Sequence, residues 1–193
     1  MSWRIVTLAA TLIMALASAA RAAGPYTPPA VPGNLEVTGR KLVLAGHAFG
    51  TQNYICSVAA TTTGVDWFFL GPQATVFDAD GKQIATHFLS RNPITGEFHA
   101  TWQHSTDSSA VWAKKLRGST DAAYVAAGAI EWLLLEATAN RSGALGGLKL
   151  AKVTRIQRVN TVGGMKPPAE ECTPSTINTR QLVPYEADYY FYE

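Results

Sequence analysis

The sequence predicts an all-β chain with minor helix, a single-domain β-sandwich or compact β-barrel held by one disulfide. Three observations carry that prediction. Short runs rich in Val, Ile, Thr and aromatic residues recur between clusters of Gly, Pro, Asn and Asp, which is the pattern of a sandwich or barrel. The closing segment VPYEADYYFY puts Val183, Tyr185, Ala187, Tyr189 and Phe191 on one face of a strand, because successive side chains alternate. Cys56 and Cys172 are the only cysteines, so one pairing is open to them in an oxidising compartment.

That compartment is read from the first residues. A basic start (Arg4), an apolar run over residues 5–17 and the small-x-small site Ala20-Arg21-Ala22 form an export signal over residues 1–22. The expected mature protein is therefore secreted or periplasmic. Removing the signal also removes Arg4 and Arg21. Of 16 Lys+Arg, 14 then remain against 14 Asp+Glu, so bulk charge gives no support for nucleic acid or anionic lipid as a partner. No second run of about 18 apolar residues suggests a transmembrane helix.

Residues 23–33 hold four prolines and no periodicity. They read as an extended leader before one β-rich domain over residues 34–193. Residues 41–45 (KLVLA), 52–58 (QNYICSV), 67–70 (WFFL), 74–77 and 83–88 are strand candidates. Asp80-Gly81 between the last two predicts a two-residue type I′ hairpin pairing Phe77 with Ile84 and Thr75 with Thr86. The hairpin also explains Asp78-Ala79-Asp80-Gly81 better than a calcium loop, which needs further oxygen ligands. A second hairpin over residues 92–96 brings residues 86–89 against 98–102. Residues 109–115 follow as a strand. Residues 122–127 read as a short helical turn, since Gly128 interrupts any longer helix. Residues 131–137 read as a buried strand, 148–162 as a bulged strand ended by Gly163-Gly164, and 166–173 as the loop carrying Cys172. Trp67, Trp102 and Trp132 recur at intervals of about 30–35 residues, a faint threefold pattern.

Several fragments together have a wider likeness. They are residues 50–56 (GTQNYIC), 71–81, 130–135 (IEWLLL), 158–164 (RVNTVGG), 183–185 and 187–191. With them the chain resembles an uncharacterised family of small secreted bacterial and fungal proteins. The resemblance implies no activity, ligand or catalytic residue. Some fungal relatives are labelled malate dehydrogenase, yet this chain has no G-x-G-x-x-G after a strand and no alternating βαβ pattern.

The candidate functional residues are few. Trp102 and Trp112 bracket a polar loop, and exposed tryptophans beside polar groups stack on sugar rings. With His104 and Asp107 they form the expected ligand region, for a polysaccharide or cell-envelope component. His87 and His99 are expected to face each other across the second hairpin, whereas His99 and His104, five apart, point to opposite faces. A metal site would need three or four converging ligands, and the chain is read without metal or cofactor. His87, His99 or His104 with Asp107 is also the residue set of a secreted hydrolase, with Ser105, Ser108 and Ser109 nearby, although no G-x-S-x-G appears. Lys149, Lys152, Arg155 and Arg158 recur every three residues and are expected to be neutralised by the acidic tail, with an anionic ligand such as a polysaccharide or cell-wall polymer as the alternative. The aromatic C-terminus suits an outer-membrane strand, but Glu193 follows it and runs such as residues 132–135 suit a packed core. The reading favoured by the sequence is a non-enzymatic binding or envelope-associated domain. The hydrolase comes second and a structural or partner-interaction module third.

Overall fold

The computed structural model describes residues 26–59 and 64–193. The export signal and the first residues of the Pro-rich leader lie outside them. The described chain is all-β. Its strands are β1 (Leu42–Val58), β2 (Val65–Phe77), β3 (Gln83–Arg91), β4 (Phe98–His104), β5 (Ala110–Ser119), β6 (Trp132–Arg141), β7 (Arg155–Gly163) and β8 (Arg180–Tyr192). Each pairs antiparallel with the next, and β8 returns to pair with β1. Of the two architectures expected, the closed barrel is the one adopted, which leaves no free sheet edge.

The alternation seen in the sequence sorts the strands into two faces. Ala48, Val76, Trp102, Ile156 and Phe191 point inward into one apolar core. The closing strand behaves as its pattern predicts, with Tyr185, Ala187, Tyr189 and Phe191 buried inside. Thr51, Gln73, Thr75, Lys114 and Glu136 belong to the opposite face. An interior packed with Val, Ile, Trp and Phe differs from the polar lumen of an outer-membrane barrel.

Close approach of β1 and β2 depends on Gly50. A Cβ there would overlap the Gln73 carbonyl and lie 2.5 Å from Ala74 Cα. Several strands are longer than expected: β1 joins two predicted segments into 17 residues, and β2 joins two into 13. In contrast, β7 begins only at Arg155. Residues 148–153 form turns that tuck Leu150 and Val153 into the barrel floor. Residues 122–127 form the short turn expected there, with Val125 N–H donating to the Asp121 carbonyl four residues back at 2.8 Å.

The first hairpin keeps the Thr75–Thr86 pairing but shifts Phe77 to Gln83 through a bulge. Its loop has three residues, since Asp78 N–H donates to the Lys82 carbonyl at 2.9 Å. A type I turn closed by one left-handed residue is the usual three-residue solution, and only Gly81 takes φ +76°. The Asp78 carboxylate accepts the Asp80 and Lys82 N–H groups. The second hairpin pairs Thr86 with Gln103 and Leu89 with Ala100. Asn92 holds its turn by accepting the Ile94 and Thr95 N–H groups.

A second apolar layer lies outside the barrel. The leader packs there through Tyr26 and Val31, next to Leu35 of the domain, which is fully buried against Trp132, Leu134, Val159, Tyr190 and Tyr192. Gln157 donates to the Leu35 carbonyl at 2.7 Å, and the Tyr190 hydroxyl to the Thr27 carbonyl at 3.0 Å. Trp67 lies in a third cluster with Tyr54 and the two cysteines. Trp67, Trp102 and Trp132 thus occupy three unlike environments, and no threefold repeat relates them. Cys56 and Cys172 are joined, tying the β7–β8 loop to β1 at one end of the barrel.

Candidate ligand cavity in the barrel lumen

A closed barrel of eight strands is just wide enough to be filled by side chains or to hold one small ligand. Here the floor is filled and the other end is not. A cavity of about 260 Å³ lies in the lumen toward the β3–β4 and β5–β6 connections. Trp102, Leu133, Leu135 and Tyr189 give it apolar walls, and Phe69 and Phe98 stand half exposed at its rim. The entrance follows from the hydrogen-bond ladder. β4 and β5 pair over only four positions, from Ala100–Ala113 to Gln103–Ala110. Above that point Phe98 and His99 on one strand and Lys114 and Lys115 on the other border the cavity.

Polar groups reach the lumen from β1, β3, β4, β7 and β8, and Lys115 of β5 stands at the rim. His87 of β3 is buried and stacks on Trp102 with ring centroids 4.0 Å apart. Tyr189 meets both rings edge-on at 5.3 Å. His87 Nδ1 lies 2.9 Å from the Thr101 carbonyl. A carbonyl only accepts, so Nδ1 carries the hydrogen and neutral Nε2 is left as an acceptor. Burial holds the imidazole pKa down to about 3, and the Arg158 charge pushes the same way. The Tyr185 and Tyr189 hydroxyls lie 3.3 Å apart; burial pushes both phenols up, against the pull of Arg158.

Arg158 of β7 is the unusual member. Its Nη2 donates to the Glu131 carbonyl at 2.9 Å, and among the described residues no carboxylate lies within ion-pair reach of it. The rim lysine is different, because Lys115 Nζ sits 2.7 Å from both Glu131 oxygens. Four buried side-chain atoms among the described residues lack a hydrogen-bond partner: Gln52 Nε2, Trp102 Nε1, Arg158 Nε and Trp132 Nε1. The first three belong to residues that line this cavity. All are donors. Leaving a buried donor unsatisfied costs about 1–3 kcal/mol, so their gathering around one void needs a reason.

The residues singled out from the sequence are divided by the structure. His87, His99 and Trp102 border the cavity. His87 is opposite Trp102 and His99 opposite Ser90, so the two histidines do not face each other, three positions away from the expected register. Trp102 is 1% exposed and Trp112 5%, which corrects the expectation of a solvent-facing sugar platform. Trp112 lies on the outer side of β5, donating to Ser90 Oγ at 2.8 Å beneath the Arg141 guanidinium.

His104 and Asp107 are at the opposite end, at the floor. Asp107 Oδ1 accepts from Ser109 Oγ at 2.6 Å, and its Oδ2 accepts the Lys149 N–H at 2.8 Å. Ser109 is buried and also accepts the Leu150 N–H. His104 Nδ1 is 3.3 Å from Asp107 and accepts the Asp107 N–H. Burial lowers the His104 pKa, whereas the Asp107 pKa is lowered by hydrogen bonds from Ser109 and Lys149 that outweigh its desolvation. The carboxylate thus stands between histidine and serine. Nucleophilic catalysis needs the histidine in the middle, so this cluster is a latch joining the β4–β5 turn to the β6–β7 loop. No group of three His, Cys, Asp or Glu side chains suited to a metal gathers among the described residues.

The basic run is also reassigned. Lys149 and Lys152 lie in the β6–β7 connection, and Arg155 and Arg158 on β7. β7 does run beside β8, but the tail acids find other partners. Asp188 and Glu186 bind His47 at 2.7 and 3.3 Å, and Glu193 binds Lys41. Arg158, Gln52 and Tyr189 were not singled out as site residues. The available signal was parity, since Arg158 shares a strand face with the apolar Ile156.

Fold and cavity together define an up-and-down eight-stranded barrel with a ligand-sized lumen. Residues 37–193 match the family described as "Protein of unknown function (DUF3455)", and the chain belongs to that family. No curated protein and no solved structure matches it.

Proposed function

We propose that this is an exported, non-enzymatic binding protein that holds a small apolar molecule in the barrel lumen. The observation that carries the reading is the cavity itself: about 260 Å³ between apolar walls, near the lower end of known small-molecule sites. Among the described residues, the side chains bordering it include no Asp, Glu, Ser or Cys. His87, with its pKa near 3, is a poor general base at neutral pH. Those two facts favour binding over hydrolysis. The Cys56–Cys172 disulfide supports export, because structural disulfides persist mainly in oxidising compartments.

The test is thermal denaturation of the purified protein with toluene or indole. A ligand at a hundred times its Kd stabilises the native state by about 2.7 kcal/mol, so the melting temperature of the wild type should rise. Ala100→Phe, which places a ring at the cavity wall, should abolish the rise. A wild-type melting temperature that ignores every small apolar probe would sink the reading.

A further inference from the structure

We propose that the ligand is a small apolar monocarboxylate whose carboxylate pairs with Arg158; this rests on reading the lumen as the ligand site. A half-buried guanidinium normally has a carboxylate partner, because an uncompensated charge away from water is costly. Arg158 donates to the Glu131 backbone carbonyl, and its side-chain hydrogen-bond neighbour is the neutral Tyr189 hydroxyl. Its Nε is buried without a partner. A planar fork with spare donors matches a carboxylate.

The neighbours favour the same chemistry. The unpartnered atoms Gln52 Nε2 and Trp102 Nε1 belong to the same cavity wall, and both can only donate. A ligand that brings acceptors suits this wall, whereas an ammonium or guanidinium ligand would add donors and a like charge. The net charge indicates a monoanion. Lys114 and Lys115, which also border the cavity, are already paired with Glu136 and Glu131, so among the described residues Arg158 is the cavity cation without an acidic partner, which is no match for a phosphate dianion.

Size and shape set the remainder of the molecule. Benzene fills an engineered cavity of about 150 Å³. A void of about 260 Å³ therefore takes roughly ten to twelve non-hydrogen atoms, one ring and a short chain. Leu133, Leu135 and Leu89 offer that body apolar contact, and Phe69 and Phe98 flank its way in.

The experiment is isothermal titration calorimetry of the purified protein at pH 7 with 3-phenylpropionate and, separately, its uncharged amide. The wild type should bind the acid at least tenfold more tightly than the amide. Arg158→Gln should erase that preference while changing amide affinity less than threefold, and Lys115→Gln should retain it. Equal affinities in the wild type would overturn the carboxylate assignment with the lumen reading intact, as would a preference that survives in Arg158→Gln or disappears in Lys115→Gln. Silence from both compounds would overturn the two readings together. The wild-type comparison decides the matter even if Arg158→Gln fails to fold.

Discussion

His87 shows how one side chain can be decided by its neighbours. It lies between Trp102 and Tyr189, donates to a backbone carbonyl, and is kept neutral by burial. Its folded pKa, about 3, is below the unfolded value of about 6.5. Between those values the unfolded chain binds more protons, so stability falls as pH drops from about 6.5 toward 3. One proton's difference gives a slope of up to about 1.4 kcal/mol per pH unit. Urea denaturation across pH 4–6 should show a shallower slope for His87→Gln than for the wild type. An unchanged slope would mean that His87 is protonated in the folded state. His47 works in the opposite sense. Its bond to Asp188 raises its pKa, so its contribution is complete below about pH 6.5 and is lost as pH rises through the folded value. The sequence supplied both histidines but neither environment. In strand β3 a histidine followed by Phe88 and Leu89 reads equally well as inward or outward until the partner strand's register is known.

Among elements, the β7–β8 loop and the leader do more than connect. Cys56 and Cys172 close a loop of 116 residues, for which the chain-entropy model gives about 4–5 kcal/mol of stabilisation. Cys172→Ser paired with Cys56→Ser should lower the free energy of unfolding by about that amount, measured in denaturant. A loss below about 1 kcal/mol would mean that the unfolded chain is already constrained there. The leader packs beside Leu35, which is fully buried outside the barrel. Leu35→Ala should destabilise by about 2–5 kcal/mol, the range for a buried leucine truncated in a packed site; a change near zero would show that this outer layer is dispensable. The strands were legible because alternation and turn residues are local signals. Asp80-Gly81 marked its turn, and the 75–86 pairing followed. The boundaries that failed had non-local causes. Residues 148–153 look like strand, yet they turn inward because Leu150 and Val153 plug the floor. Residues 122–127 keep their expected short turn, and Val125 and Ala129 are drawn into the outer layer with Trp132.

At the scale of the whole molecule, closure converts a sheet into a container. The sequence gives the tryptophans but not the curvature, and curvature decides which face is enclosed. Trp102 and Trp112, one strand apart, therefore end on opposite sides of the wall, and the pair does not form a common surface. Arg158 is the converse case. Among three other cations at regular spacing it reads as one of a solvated set, and only the barrel's parity puts it inside, beside donors from β1 and β4. Fold class and disulfide were thus available from residue order, whereas the cavity depends on eight strands meeting at once.

The seam between β1 and β8 has a consequence for how the protein is made. Leu42 is opposite Tyr192, and Ile55 opposite Arg180, so the earliest strand to emerge must wait for the latest. Long sequence separation between partners slows folding. A barrel whose first strand pairs with its last can complete its ring only once synthesis has passed residue 192. The same dependence means that trimming β8 would leave no smaller ring, only a curled sheet with two bare edges.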